Sequence, residues 1–505
     1  MGSRGGRRPT PAVSFDAPLP SIRRRFDGRW VAVDEGLLGR LREACSEVAV
    51  DDDACVEAGR DWWPLAIHWA LAGEVPSRAA VVARPRNPAE VCAVLRLCDE
   101  ARVPVTPVAG RSGVCGASIP AFGGVALDLC GMAGLLHVDN TSLVADVAPG
   151  TFGDLLEAEL RSGHGLTLGH WPQSIALSTV GGWLACRSAG QYSTRYGKIE
   201  DMVVGLEVAL ADGRLVRTGG TGPRAASGPD LTQLFVGSEG TLGVVTRARL
   251  RVHPVPLFEA RAAYGFGDFG AGLDACRRVL RRGATPAVLR LYDATESARA
   301  FGTEGRHVLV VLDEGDRGLV EVGMAVVDEE CGEAGVLDEA LVATWLEHRN
   351  DVSALEAVSR RGIVVDTAEV AARWAVLETM YTETLAALAA VDGTLVASAH
   401  ESHAYTDGAC LYFTFAGRGP EGSAPSWKDD YYRRAWDAIT EVTLAHGGAI
   451  SHHHGIGLNR ARFMGRALGP AHGVLASVKA ALDPNGILNP GKLGLASPFG
   501  PAPWP

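Results

Sequence analysis

The chain has 505 residues, a formal net charge of −11, 47% hydrophobic and 21% charged residues. This composition excludes a disordered, collagenous or disulfide-scaffold protein, and the acidic balance leaves no electrostatic footprint for nucleic acid. The length allows two to four units at roughly 100–200 residues each.

Residues 1–30 read as a loose polar arm with no secretory h-region, and the short run Arg23-Arg24-Arg25 as a solvated face. Residues 35–75 read as mostly helical, with Leu37, Leu38, Leu41 and Cys45 at helical spacing. A strand is expected at 79–83, an amphipathic helix at Pro88–Ala101, and further strands at 103–108, 125–129 and 143–147. Thr151 followed by Asp154 predicts an N-capped helix over 151–161. Residues 202–218 read as a hairpin turning at Ala211-Asp212-Gly213, and 244–252 as a half-exposed strand. Beyond Val255-Pro256-Leu257 the pattern changes to a separate α+β module, with helices expected at 267–282 and 368–389 and strands at 286–292, 307–312 and 408–416. The loop 417–426 is rich in Gly, Pro and Ser, and the tail reads as helix, loop, helix and a Pro/Gly-rich end. No stretch of about 18 apolar residues predicts a membrane span. The ten cysteines stand singly, which suits reduced thiols, and Cys115 reads as a packing residue.

The 62 glycines concentrate in loops beside strands. Pro107-Val108-Ala109-Gly110-Arg111-Ser112-Gly113 follows a strand and can turn backbone N–H groups toward an anion, yet it is neither a P-loop nor a dinucleotide fingerprint opening a helix. Three further loops follow: 170–183, 187–201 and 237–243.

The strings S-T-V-G-G-W at 178–183, Y-G-x-I-E-D at 196–201, G-S-E-G-T-L-G-V at 237–244, S-H-H-H-G-I-G at 451–457 and D-P-N at 483–485 resemble, in this order, the FAD-linked oxidases of the vanillyl-alcohol-oxidase type, and within them the alkyldihydroxyacetone-phosphate synthase branch. The resemblance covers roughly residues 60–495. It implies an α+β fold: a two-subdomain PCMH-type FAD-binding domain at 77–256, an α+β cap or substrate domain at 257–440, a C-terminal helical segment at 441–505 that returns to the flavin, and an N-terminal arm and helical segment at 1–76. The implied cofactor is FAD. Pro107, Val108, Ala109, Gly110, Arg111, Ser112 and Gly113 would wrap its pyrophosphate; Pro172, Gln173, Ser174, Ser178, Thr179, Gly182, Ala185, Arg187 and Ser188 would line the ring and ribityl chain; Glu239, Gly240 and Gly243 would meet the adenosine end. The first loop reads A-G-R-S-G where many covalent members carry histidine, so non-covalent FAD is expected, with His170 as the nearest alternative attachment point.

The alternation around Cys410-Leu411-Tyr412-Phe413-Thr414-Phe415 predicts a strand with Tyr412 on one face. The resemblance implies that Tyr412 accepts and donates a proton, aided by His452, His453 and His454; a packed core tyrosine is the rival reading. Three successive histidines cannot all face one point. A zinc site would need His400 or His403 to join them, and no metal is expected. Arg290 matches an arginine that grips an anionic group, against a structural salt bridge to Asp293. A second substrate-gripping arginine of the branch falls at Leu355 here, with Arg349 or Arg360 as candidate replacements.

The implied activity is synthase-like chemistry on a small oxygenated, anionic substrate. The alternatives are a FAD-dependent oxidation of a 2-hydroxy acid or alcohol, and a flavin-binding partner protein without turnover. The expected partners are a small-molecule substrate and a second copy in a homodimer, with no nucleic acid and no membrane span; peripheral membrane contact follows if the substrate is a lipid. A cytoplasmic location is expected.

Overall fold

Short runs of Val, Ala and Leu in the first half can lie in a sheet only if both faces are covered, and they do so here as parallel strands. The structure is a computed structural model describing residues 15, 17–220, 222–351 and 354–504. Strands β1 (Val48–Ala49), β2 (Val81–Ala83), β3 (Val105–Val108) and β4 (Val125–Asp128) form a sheet in the order β1-β2-β4-β3, with β2, β4 and β3 parallel. Helix α1 (Pro88–Ala101) crosses between β2 and β3 and buries Val91, Val94, Leu95 and Cys98, the face its spacing predicts. The C-terminal segment adds to this sheet: Val105 N donates to Ile487 O at 2.8 Å, and Asn489 N donates to Val105 O at 2.8 Å.

A second, antiparallel sheet holds β5 (Leu135–Asp139), β6 (Val144–Val147), β7 (Val203–Ala209), β8 (Leu215–Gly219) and β9 (Val244–Arg251) in the order β8-β7-β9-β6-β5. The expected hairpin turns at Gly213, whose φ of +80° suits glycine. Helices α2 (Gly153–His164) and α3 (Val180–Cys186) pack on it through Leu156, Leu160, Val180 and Trp183. The N-cap expected at Thr151 is not there. Phe152 occupies the cap position without a side-chain bond, and Thr151 Oγ1 instead donates to Ala148 O at 2.6 Å.

The cap is one seven-stranded antiparallel sheet. Its strands are β10 (Phe258–Phe266), β11 (Val288–Tyr292), β12 (His307–Gly315), β13 (Gly335–Leu337), β14 (Val364–Arg373), β15 (Thr394–Ala404) and β16 (Gly408–Gly417), in the order β13-β10-β12-β11-β15-β16-β14. Leu289, Leu291, Val370, Leu411, Phe413 and Phe415 point into the core made with helices α4 (Phe269–Arg281), α5 (Trp374–Ala389) and α6 (Trp427–Ala445). The alternate positions, among them Arg290 and Tyr412, face a cleft toward the first two sheets.

Two expectations change. The helix expected over 368–389 begins at Trp374, because residues 368–373 belong to β14, which pairs with β16 along its whole length. The arm expected at 1–30 is docked from Ile22 onward: Ile22 and Phe26 are buried, and Arg23-Arg24 pair with Glu74-Val75. Its first fourteen residues lie outside the described ones. Among the described residues no helix is long and apolar enough to cross a membrane.

Candidate active site

The cleft encloses about 1800 Å³ of empty space, part of it open to solvent, and its walls come from the Gly-rich loops and the cap sheet. All seven residues of Pro107–Gly113 line it. Gly110 is required by a close approach, since a Cβ there would lie 2.2 Å from the Leu177 carbonyl oxygen of the next loop. The amide N–H groups of Ser112 and Gly113 donate to no acceptor among the described residues. Two buried acceptors of the lining, Ser118 Oγ and Gln191 Oε1, also lack a protein partner. Unpaired polar groups along a cleft of small residues fit a polar ligand with a diphosphate linker.

Pro172, Gln173, Ser174, Ser178, Thr179, Gly182, Ala185, Ser188, Gly240 and Gly243 line the same space. Thr179 caps α3. Ser178 Oγ accepts from Trp183 Nε1 at 2.7 Å, so its hydroxyl positions the loop. Arg187 departs from the sequence expectation, whereas Glu239 keeps a place on the cleft and His170, the alternative attachment point, stands outside it. Arg187 lies outside the cleft; it ends α3 in a left-handed conformation, φ +56°, and its exposed side chain reaches Glu200 at 3.4 Å. Glu239 lines the cleft, but its carboxylate is turned to the histidine loop, accepting from Ile456 N at 2.5 Å and Gly457 N at 2.9 Å. His170 is buried against Trp183, at 4.6 Å between rings, and is not part of the cleft wall.

On the cap side, β16 presents Tyr412 and the neighbouring strand β14 presents Glu369 directly opposite. Tyr412 Oη accepts from Thr367 Oγ1 at 3.1 Å and is bonded to His454 Nε2 at 3.2 Å. His454 Nδ1 lies 3.0 Å from a Glu369 oxygen. Burial raises the Tyr412 phenol above its ordinary value, so the neutral form prevails at rest. Glu369 is fully buried and accepts from the N–H groups of His452, His453 and His454 at 3.2, 3.1 and 2.8 Å, and from Arg460. Burial alone would raise its pKa; Arg460 and His454 outweigh that and hold it well below the carboxylate range.

His453 and His454 line the cleft; His452 does not, because its ring turns away to Tyr405 Oη, at 3.0 Å. Ser402 and His403 line it too; sequence reasoning gave Ser402 no role and named His403 only as a partner in a zinc site. A register shift in β15 between Glu401 and His403 re-aims both side chains. His403, His452 and His453 bring ligand-type nitrogens within 4.8 Å of one another. In the structure His452 Nδ1 and His453 Nδ1 are hydrogen-bonded at 2.9 Å, and Ser193 Oγ is bonded to His403 Nδ1 at 2.7 Å.

Arg290 lines the cleft and donates to His400 Nε2, while His400 Nδ1 bonds Glu296 at 2.6 Å. Burial and Arg290 push His400 down to about 4, so it accepts from Arg290 as a neutral ring. Asp293, the rival partner of Arg290, instead caps the helix Ala294–Phe301 and accepts from Ala399 N. Leu355 sits on the helix Ala354–Arg360, where Arg360 pairs with Glu356 at 2.7 Å. Arg349 stands over Trp171, Tyr192 and Trp345 at 5.6, 5.1 and 5.4 Å, and its carbonyl accepts from Gln191 of the cleft wall. Val352 and Ser353 lie outside the described residues.

Comparison with known proteins identifies the family. Residues 79–219 match the family model "FAD binding domain", and residues 255–493 match "FAD linked oxidases, C-terminal domain". The chain is 31% identical to the uncharacterized FAD-linked oxidoreductase YgcU of Escherichia coli, over 83% of this chain and 89% of that one. It is 29% identical to an alkyldihydroxyacetonephosphate synthase of Dictyostelium discoideum (83% and 74%) and 31% identical to the glycolate oxidase subunit GlcD of Bacillus subtilis (82% and 88%). Among solved structures, an alkyldihydroxyacetonephosphate synthase superposes with a TM-score of 0.77 at 24% identity, covering 95% of this chain and 89% of that one. A p-cresol methylhydroxylase with bound substrate gives 0.72 at 18%, covering 93% and 99%. The chain therefore belongs to the FAD-linked oxidase family and is an FAD-binding enzyme.

Proposed function

We propose that the enzyme acts on a small oxygenated, anionic substrate held between the flavin and the cap sheet, with Tyr412 exchanging the substrate's proton. The observation that carries this reading is the alignment of Tyr412 and His454 on the cleft wall with the buried Glu369 behind His454. A phenol at its ordinary pKa near 10 is a poor base at neutral pH. His454 Nε2 on its oxygen can take the phenolic proton as the phenol works, and the Glu369 carboxylate beside Nδ1 stabilises the positive charge that results. Arg290 on the cleft wall, oriented by His400, supplies positive charge for the substrate's anionic group, and Arg349 stands in its aromatic cage next to Gln191 of that wall. Ser112 and Gly113 N–H groups, with the small residues of the second and third loops, would hold FAD non-covalently. Bound FAD supplies an electron-accepting ring, which serves either a synthase or an oxidase.

In the synthase-like reading, a fatty alcohol replaces the fatty acid on an acylated dihydroxyacetone phosphate without net redox. A second reading, hydride transfer from a 2-hydroxy acid, is favoured by Leu355 standing where the synthase branch has an arginine. The two separate in one experiment. The yellow protein is mixed anaerobically with 2-hydroxy acids, and in parallel with an acyl-dihydroxyacetone phosphate plus a fatty alcohol. Ether-lipid formation without bleaching of the flavin band supports the synthase. Bleaching by a hydroxy acid overturns it in favour of oxidation. A protein that does neither with the whole anion series sinks the anionic-substrate reading.

A further inference from the structure

Beside the Tyr412 chain lies a second set of hydrogen bonds which that mechanism does not use. It begins at His403, whose Nδ1 is bonded to Ser193 Oγ at 2.7 Å. Ser193 Oγ is bonded to Tyr405 Oη at 3.0 Å, Tyr405 Oη to His452 Nε2 at 3.0 Å, and His452 Nδ1 to His453 Nδ1 at 2.9 Å. The chain starts and ends on rings that line the cleft, His403 and His453, while its middle is hidden from it. At each end the remaining nitrogen, Nε2, has no protein partner among the described residues, and neither is a sealed buried atom.

Each link has one proton between two heavy atoms, and each neutral group in the chain carries one proton. If His403 Nδ1 donates to Ser193, then Ser193 donates to Tyr405, Tyr405 to His452 Nε2, and His452 Nδ1 to His453 Nδ1. His403 Nε2 is then a bare acceptor and His453 Nε2 carries hydrogen. Reversing the first link reverses every other, and the two Nε2 atoms exchange states. We infer that Ser193, Tyr405 and His452 form a tautomer relay that keeps the two cleft-facing imidazoles complementary, one a base and the other an acid. The inference rests on the reading that this cleft is where the reaction occurs.

The proton count closes. A proton taken up at His403 Nε2 sends its Nδ1 proton to Ser193, the hydroxyl protons move on to Tyr405 and then to His452 Nε2, and the Nδ1 proton of His452 passes to His453, which releases its Nε2 proton into the cleft. Nothing is left charged. Burial keeps His403, His452 and His453 neutral well below the ordinary histidine value, which is the condition for the alternation to hold at neutral pH. The relay suits a substrate that must lose a proton on one side and gain one on the other. Ser193, Tyr405 and His452 are positioning residues in it, since they touch only the imidazoles.

The test reads tautomers in the resting holoprotein and needs no substrate. With ¹⁵N-labelled histidine, the Nε2 resonances of His403 and His453, assigned with His403→Asn and His453→Asn, are expected to be one of the protonated and one of the bare type. Tyr405→Phe removes the middle link and is expected to abolish that complementarity while the flavin content stays unchanged; Ser193→Thr, which keeps a hydroxyl, is expected to retain it. Two Nε2 atoms in the same state in the wild-type protein overturn the relay, as does a complementary pattern that survives Tyr405→Phe. Should Tyr405→Phe fail to retain flavin, Ser193→Ala against Ser193→Thr makes the same comparison. Because no turnover is read, loss of the relay and loss of the proposed function give separate results.

Discussion

Glu369 determines where the histidine run stands, because one carboxylate accepts from three consecutive backbone N–H groups, from Ser451 Oγ at 2.7 Å and from Arg460. Glu369→Gln leaves Arg460 buried without its counter-charge, and breaking such a pair costs about 3–5 kcal/mol. A clear fall in the thermal midpoint is the expected outcome, measured by scanning calorimetry of the flavin-loaded protein. The pH dependence has a definite sign. Folding lowers this carboxyl's pKa, so its contribution is present above the unfolded value, about 4.3, and is lost as pH falls further toward the folded value. The wild-type midpoint should therefore drop in acid more steeply than that of Glu369→Gln; parallel curves would refute the assignment. Tyr412→Phe should keep bound flavin and the fold but lower turnover about 10²–10⁴-fold, the usual range for a positioned acid–base group. Stopped-flow reduction or product assay checks it, and unchanged turnover would show a packing tyrosine. Tyr412 and the histidine run were legible in the sequence because rare residues stand together. Glu369 and Ser193 were not, since each is a common residue whose partners lie far along the chain.

At the scale of elements, the histidine loop and the first Gly-rich loop are one unit. Leu458 N and Asn459 N both donate to Cys115 O, at 2.8 and 3.1 Å. Gly457 makes this approach feasible: its φ is +53°, and a Cβ would lie 2.1 Å from that same carbonyl oxygen. Gly457→Ala must push the loops apart, with overpacking costs of about 1–3 kcal/mol. The expected outcome is weaker flavin retention on dilution together with lower turnover, read by flavin fluorescence and activity; unaltered retention would show the two loops to be independent. The Gly-rich loops and their neighbouring strands were readable from the sequence, because turn chemistry and apolar runs are local signals. The start of α5 was not. Ala368, Val370, Ala371 and Ala372 suit a helix or a strand equally, and pairing with β16 decides the matter. Nor could local pattern place Ser402 and His403 in the cleft, because the shift in β15 breaks the alternation from which side-chain facing is read.

Across the whole molecule, the cleft proposed for the flavin lies between the first two sheets and the cap, and the N-terminal region and the tail tie these parts together. Phe26, Trp63 and Trp69 from the N-terminal region share one apolar cluster with Tyr432 and Trp436 of the cap and Phe499 and Trp504 of the tail. Asn489 Nδ2 donates to Ala117 O at 2.9 Å and to Glu239 O at 2.6 Å, fastening two Gly-rich loops together. FAD in such a cleft is a ligand of the folded state alone, so it should stabilise by mass action, about 2.7 kcal/mol when free FAD is a hundredfold above its Kd. Removing FAD with chaotrope should lower the thermal midpoint, and adding it back should restore the midpoint in proportion to the logarithm of FAD concentration. Attachment is testable at the same scale. The first loop offers Arg111 rather than a ring nucleophile, and His170 is packed on Trp183 away from the cleft. Acid precipitation should therefore leave all the yellow colour in the supernatant. Colour that stays with the precipitate would mean a covalent bond, and the cleft-lining nucleophiles left to form it include Tyr412, His403, His453, His454 and Cys186. A bond at either relay imidazole would also fix that ring's tautomer, so the acid test and the ¹⁵N spectra constrain each other.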